Sequence, residues 1–150
     1  MKTNPTEIKS SFVRETLTLA ALLVAASACW AAPATDDPVL LRGKYLVENV
    51  GLCGDCHSQR DEKGQIPAGK HLMGAALPFA PTVPMPVWAP MAPRIAGLPT
   101  LSVAQAEEYL TTGEGRPAGP TRPPMPPYRF SPEDAKAVVA YLKSLKAKAH

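Results

Sequence analysis

The sequence is poor in several features that define common classes of small protein. It has three cysteines in 150 residues, and only Cys53 and Cys56 lie beyond residue 33. A disulfide between cysteines three positions apart closes almost no loop, which argues against a disulfide-stapled scaffold. The longest apolar run, 17–28, is shorter than the roughly 20 residues of a membrane-spanning helix. No segment shows a convincing strand pattern, which argues against a β fold.

An excess of one charge is also missing. From residue 33 onward there are 13 Lys and Arg residues against 11 Asp and Glu residues, a net charge near +2. Aromatic residues make up 6% of the chain, and no basic stripe is interleaved with them. Because nucleic-acid-binding domains carry a basic footprint, we expect no nucleic-acid partner.

The N-terminal segment 1–32 has the pattern of a secretory signal peptide. Basic residues come first, followed by the apolar run 17–28 and then by the small residues Ala31 and Ala32. This order predicts export and cleavage after one of the two alanines. Two alternatives stay open, namely an uncleaved N-terminal membrane anchor and a lipoprotein-type cut that leaves a lipidated Cys29. The sequence therefore predicts a periplasmic location, either free or attached to the membrane.

Three segments beyond residue 36 have the periodicity of short helices. The first starts at Asp37-Pro38 and ends at Gly51, the second runs over 102–113 from a capping box, and the third starts at Ser131. The apolar face of the first helix comprises Leu40, Gly43, Val47 and Val50. The second helix places Val103, Ala106 and Leu110 on one face. The third places Ala135, Val138, Val139, Leu142 and Leu145 on one face.

The segments between these helices are rich in proline. Seven prolines fall within 78–99, and they exclude a long helix or a central strand there. The same segment is too apolar for a disordered linker, so we expect it to wrap an apolar group. Helices this short bury little surface among themselves. The sequence predicts an all-α fold of three to four short helices whose missing core is supplied by a cofactor.

Cys53-Gly54-Asp55-Cys56-His57 has the C-x-x-C-H pattern of c-type haem attachment. Two sulfurs at this spacing can form thioethers with two vinyl groups on one side of the porphyrin, and the next imidazole then lies under the iron. A redox dithiol would need a strand-helix-strand setting, and a zinc site would need a second ligand pair. We predict one covalent haem c, attached through Cys53 and Cys56, with His57 as the proximal ligand.

A methionine sulfur is predicted as the second axial ligand, because it is a soft neutral donor that favours Fe(II). Met125 is the first choice, since prolines on both sides keep its loop extended and stiff. The alternatives are Met73, Met85, Met91 and His71.

Four segments resemble class I monohaem cytochromes c. They are LRGKYLV (41–47), CGDCH (53–57), RPPMPPY (122–128) and SPEDAKAVVAYLKSL (131–145). Their order and spacing are similar to that family over nearly the whole chain after the signal, and we place the cytochrome domain at 37–147. The segments PMPPY and AYLKSL are similar to cytochrome domains that serve bacterial periplasmic dehydrogenases. The resemblance implies an electron-transfer protein without substrate turnover, with a dehydrogenase as electron donor and an oxidase or another cytochrome as acceptor.

The resemblance also implies roles for individual residues. Gly43 and Tyr141 match the small and aromatic residues at which the first and last helices cross in that family. A proline after the motif accepts the hydrogen bond of the proximal histidine, and Pro67 is the nearest candidate, although its neighbours differ from the family's Gly-Pro-Leu pattern. Trp88 and Arg94 are candidates for contact with the haem propionates.

Three other functions stay open from the sequence. The first is a fixed haem-bearing subunit of a dehydrogenase or oxidase complex. The second is a haem peroxidase or gas sensor, which would need an open or easily vacated iron position. The third is a zinc or dithiol module without haem.

Overall fold

The computed structural model describes residues 37–145. The predicted signal segment 1–32, Cys29 and the last two residues of the predicted domain lie outside this range. The described part has the predicted all-α fold, with helices α1 (Pro38–Tyr45), α2 (Cys53–His57), α3 (Val103–Thr112) and α4 (Pro132–Ser144). In the same range no helix combines the length and hydropathy needed to cross a bilayer.

Helix α1 begins at a side-chain cap and ends in a wider turn. The Asp37 carboxylate accepts a hydrogen bond of 2.9 Å from the Val39 N–H, as expected for an N-cap. At the other end α1 continues into a π-helical turn, Leu46–Val50. Such a turn adds a residue to the helical repeat and so rotates the side chains that follow. This explains why the prediction was wrong for Val50, which is 50% exposed, while Leu46 is buried.

Helix α3 starts with the predicted capping box. The Ser102 hydroxyl accepts from the Gln105 N–H at 3.2 Å, and the Gln105 side chain accepts from the Ser102 N–H at 3.0 Å. Ala106 is buried as predicted, but Val103 is exposed because it occupies the first helical position, outside the packed turns. Tyr109, which the prediction did not include in the apolar face, is buried. The inward face of α3 is therefore rotated toward the tyrosine.

Helix α4 packs its predicted apolar face against α1 and α3. Its buried residues are Ala135, Ala137, Val138, Val139 and Leu142. The crossing with α1 is close at Gly43, where an added Cβ would lie 2.6 Å from the Ala137 carbonyl carbon and 2.8 Å from the Tyr141 Cβ. The expected contact of Gly43 with Tyr141 is thus confirmed. Beside it, Arg42 and Asp134 form two hydrogen bonds of 2.8 and 2.9 Å.

Irregular chain between α2 and α3 completes the core. Leu72 is fully buried, and its N–H donates to the Ser58 hydroxyl at 2.9 Å. Two short strands, β1 (Ala75–Ala76) and β2 (Met91–Ala92), pair in antiparallel fashion. The sequence predicted no strand, because a two-residue ladder carries no periodicity. The core cluster comprises Leu46, Val47, Leu72, Ala96, Leu98, Ala106, Val138, Val139 and Leu142.

We expect Gly43→Ala to destabilise the protein, because the new methyl group collides with the α4 backbone. Overpacking of this kind lowers the free energy of unfolding by about 1–3 kcal/mol. Denaturant unfolding of the haem-loaded protein measures this loss. The control is Lys44→Ala, an exposed change on the same helix that should stay within about 0.5 kcal/mol of the wild type. Equal stability of the two variants would contradict the close crossing.

Candidate cofactor site

The attachment motif forms helix α2, which the chain enters through an unusual backbone conformation. Leu52 has φ +47°, in the left-handed region that bulky residues rarely adopt. Strain of this kind is often found next to functional sites. Cys53 and Cys56 stand one helical turn apart, so they share a face of α2. Both side chains are partly buried, and no disulfide joins them.

An apolar cavity of about 600 Å³ opens beside α2. Its lining includes Cys53, Cys56, His57 and Met125, the four residues that the sequence predicted as cofactor contacts. The remaining wall is mostly apolar and comes from the π-helical turn at Leu46, from α3 and α4, and from the two proline-rich segments. The volume lies in the usual range for small-molecule sites. Two thiols, an imidazole and a thioether in an apolar cavity fit a covalently attached iron porphyrin.

His57 is oriented by a backbone hydrogen bond. Its Nδ1 lies 2.6 Å from the Pro93 carbonyl oxygen, and the ring is buried. A carbonyl can only accept, so Nδ1 carries the proton and Nε2 keeps a free lone pair, as a metal ligand requires. Burial lowers the pKa of His57, while the bond to Pro93 opposes this shift. The imidazole is therefore in its neutral form at pH 7.

The expectation that Pro67 fills this accepting role was wrong. Pro93 lies 36 residues beyond His57 and reaches it because the chain returns to α2 directly after β2. The Pro67 carbonyl instead accepts from the Lys70 N–H at 3.0 Å, within a local turn. Pro67 is closer to His57 along the sequence, but Pro93 is the proline that contacts it in space, because the chain returns to α2 after β2.

Met125 is a partly buried residue in the cavity wall. Its N–H donates to the Arg122 carbonyl at 3.1 Å, which closes a turn in the proline-rich segment. Its sulfur accepts a hydrogen bond of 3.5 Å from the Tyr109 hydroxyl. The sulfur is thus held by α3 as well as by its own loop.

The alternative axial ligands lie in different surroundings. Met91 also lines the cavity, but it is 62% exposed and only two residues from Pro93. Met73 packs against the hydrophobic core, and Met85 lies on the surface. The His71 ring is engaged through Nε2, 2.9 Å from Glu48 Oε1. Of these residues, only Met91 shares the cavity with Met125.

Tyr128 connects the loop after Met125 to the entry of the motif. Its hydroxyl donates to the Gly51 carbonyl at 2.6 Å, and its ring stacks on Phe130 with centroids 5.0 Å apart. Burial, with a smaller contribution from the nearby cysteines, raises the pKa of Tyr128 to about 12. Before attachment, burial, followed by the charge of Glu48, raises the pKa of the Cys53 thiol to about 11. The Tyr128 hydroxyl therefore keeps its proton at pH 7 and can donate to the Gly51 carbonyl.

Sequence reasoning missed two tyrosines in this site. Tyr109 stands three residues after Ala106, so helical spacing alone could have placed it on the inward face of α3. Tyr128 follows the proline pair 126–127, and no local signal shows that it reaches back to the motif. Its partner, the Gly51 carbonyl, is 77 residues away.

The two residues proposed for the propionates have different positions. Arg94 lines the cavity and donates from Nε to the Ala96 carbonyl at 2.9 Å. Trp88 is not part of the lining, and its ring lies edge-on to Phe79 with centroids 5.8 Å apart. Contact of Trp88 with a propionate stays a prediction, while its indole packs within its own proline-rich segment.

Comparison with known proteins agrees with this geometry. The family model described as Cytochrome c matches residues 40–146. The chain belongs to the cytochrome c family. Covalent haem c follows from this membership, and a zinc or dithiol module is no longer an alternative. The gluconate 2-dehydrogenase cytochrome c subunit of Pantoea cypripedii is 47% identical over 52 residues. The match covers 31% of this cytochrome and 12% of that relative.

We expect Tyr128→Phe to destabilise the cytochrome by leaving the Gly51 carbonyl without its donor. Loss of one hydrogen bond of this kind costs about 1 kcal/mol, measured as the free energy of unfolding in denaturant. Tyr45→Phe is the matched control, since Tyr45 is exposed on α1. A Tyr128→Phe variant as stable as Tyr45→Phe would show that the bond does not hold the motif entry in place.

Proposed function

We propose that this cytochrome is a periplasmic electron carrier with one haem c. Cys53 and Cys56 attach the haem, and His57 and Met125 are its axial ligands. The observation that carries the proposal is the convergence of these four side chains on one apolar cavity. The proposed location rests on the signal-like segment 1–32 of the sequence.

The residues around the cavity have separate tasks in this function. Bound haem supplies an iron that gains and loses one electron. His57 offers Nε2 in a fixed ring orientation, because Pro93 holds Nδ1. Met125 offers a soft thioether sulfur, and the apolar wall excludes water. A neutral sulfur and a low-polarity wall both favour the ferrous state, whose charge is lower.

The cavity reaches the surface at apolar residues. Leu52 and Met91 line it and are both more than half exposed. A partner that touches this rim would come close to the haem while burying only a small area, as is typical of transient redox contacts. We propose an electron-donating dehydrogenase and an accepting oxidase or cytochrome as partners. The similarity to a dehydrogenase cytochrome subunit supports the first of these.

A second candidate is a fixed subunit of a dehydrogenase complex. It is favoured by the similarity to a gluconate 2-dehydrogenase cytochrome c subunit. A fixed subunit would comigrate with a catalytic protein through purification, whereas a carrier would run alone at monomer size. We propose no substrate turnover for either the carrier or the fixed subunit. A Met125 sulfur bound to iron would leave no open coordination position for a substrate. Rapid carbon monoxide binding by the reduced protein at neutral pH would instead indicate a peroxidase or gas sensor.

Intact mass and a visible spectrum test the attachment. The full chain is expressed in a periplasm that has haem-attachment machinery, and we expect the mass of one haem on each polypeptide. The double variant Cys53→Ala, Cys56→Ala should lose that mass. Cys29→Ala is the control and should keep the mass of one haem, whether or not the signal-like segment 1–32 is cleaved. A colourless, stably folded wild-type protein would contradict the proposal.

The Met125 assignment makes a spectroscopic prediction. Met125→Ala should abolish the weak far-red sulfur-to-iron band and lower the reduction potential, because the soft donor is lost. Absorption spectra and a redox titration measure both effects. Met85→Ala is the control and should retain the band. If the band survives in Met125→Ala and disappears in Met91→Ala, Met91 is the ligand instead.

A further inference from the structure

Three side chains beside the cavity form a continuous series of contacts that ends on the Met125 sulfur. Arg116 Nη1 donates to Tyr109 Oη at 3.3 Å, and the Tyr109 hydroxyl donates to Met125 Sδ at 3.5 Å. The Arg116 guanidinium carbon also lies 5.1 Å from the centre of the Tyr109 ring. All three residues line the cavity, and Tyr109 is only 7% exposed. The arginine is therefore held on the tyrosine by two contacts.

Chemistry decides the direction of these hydrogen bonds. A guanidinium group has only donors, so the Tyr109 oxygen is the acceptor from Arg116. A phenol has one proton and a thioether has none, so the Tyr109 proton points toward Met125. Accepting a bond from a cation polarises the hydroxyl and strengthens its own donation. The charge of Arg116 thus acts on the sulfur through Tyr109.

The consequence concerns how much electron density the sulfur offers to iron. A stronger hydrogen bond to the sulfur withdraws density from it, and a weaker sulfur donor favours the ferrous state over the ferric state. The positive charge of the guanidinium acts in the same direction, because ferric iron carries one more positive charge than ferrous iron. Both effects raise the reduction potential.

We propose that Arg116 is a positioning residue that tunes the Met125 sulfur through the Tyr109 hydroxyl and so raises the reduction potential. The inference rests on the proposed function, in which Met125 is an axial ligand. It differs from a simple charge effect, because it requires the tyrosine hydroxyl as an intermediate.

A double-mutant cycle on the haem-loaded full chain separates the two explanations. Arg116→Gln removes the cation, and Tyr109→Phe removes the hydroxyl while keeping the ring. The readouts are the reduction potential and the position of the far-red sulfur-to-iron band. We expect Arg116→Gln to lower the potential and shift the band in the wild-type background. In the Tyr109→Phe background the same change should leave the band in place and shift the potential less.

Arg122→Gln is the matched control. Arg122 also lines the cavity, and the change removes one positive charge without removing a hydrogen bond to Tyr109. In the wild-type background, Arg122→Gln should lower the reduction potential only by the effect of losing a charge. This decrease should be no larger than the one that Arg116→Gln causes in the Tyr109→Phe background. Arg116→Lys keeps a cation and a donor, so it should lie between the wild type and Arg116→Gln. If Arg116→Gln does not load haem, Arg116→Lys is compared in the wild-type and Tyr109→Phe backgrounds instead.

Each other outcome overturns the inference in a recognisable way. If Arg116→Gln shifts the reduction potential equally in both backgrounds, Arg116 acts only as a nearby charge and not through the Tyr109 hydroxyl. An unmoved band in the wild-type background would show that the sulfur does not sense Arg116. If the wild type lacks the band and Met125→Ala leaves the spectrum unchanged, the ligand assignment fails and the inference fails with it. A band that depends on Met125 but not on Arg116 overturns the inference alone.

Discussion

The main constraint on this protein is that short helices and proline-rich segments have to enclose one apolar cavity together. The motif side chains Cys53, Cys56 and His57 and the distant Met125 all belong to its wall. The helices among themselves form only a small core, so the cavity wall is also a large part of the apolar interior. Cofactor binding and folding therefore depend on the same contacts, as expected for a small domain with a covalent prosthetic group.

Backbone groups rather than additional side chains hold much of this wall in place. The Pro93 carbonyl orients the His57 ring, and the Gly51 carbonyl accepts from Tyr128. In a segment rich in proline, carbonyls outnumber N–H donors, so acceptors are available where side chains need them. The irregular segments are thus as important for the site as the helices are.

A second network joins the helix crossing to the motif. Glu48, in the π-helical turn, accepts from the Tyr141 hydroxyl at 3.0 Å and lies 2.9 Å from the His71 ring. Burial, with Glu48 as the next cause, raises the pKa of Tyr141 to about 12, so its hydroxyl remains a donor at pH 7. An ideal Cβ on Gly54, inside the motif, would lie 3.2 Å from the His71 ring. The hydrogen bonds connect the π-helical turn, α4 and the segment after α2, and the His71 ring also lies close to the motif at Gly54.

The sequence by itself determined the helices with strong caps, the motif residues and the identity of the attached group, because these depend on local spacing and on the chemistry of single residue types. The capping box at Ser102 and the apolar face of α4 are examples. Only the tertiary structure decided which proline orients His57, that Tyr109 contacts Met125 and Arg116 contacts Tyr109, and that Val50 is half exposed. These features depend on where returning segments pass and on how a π-helical turn rotates the chain, and neither leaves a periodic trace in the sequence.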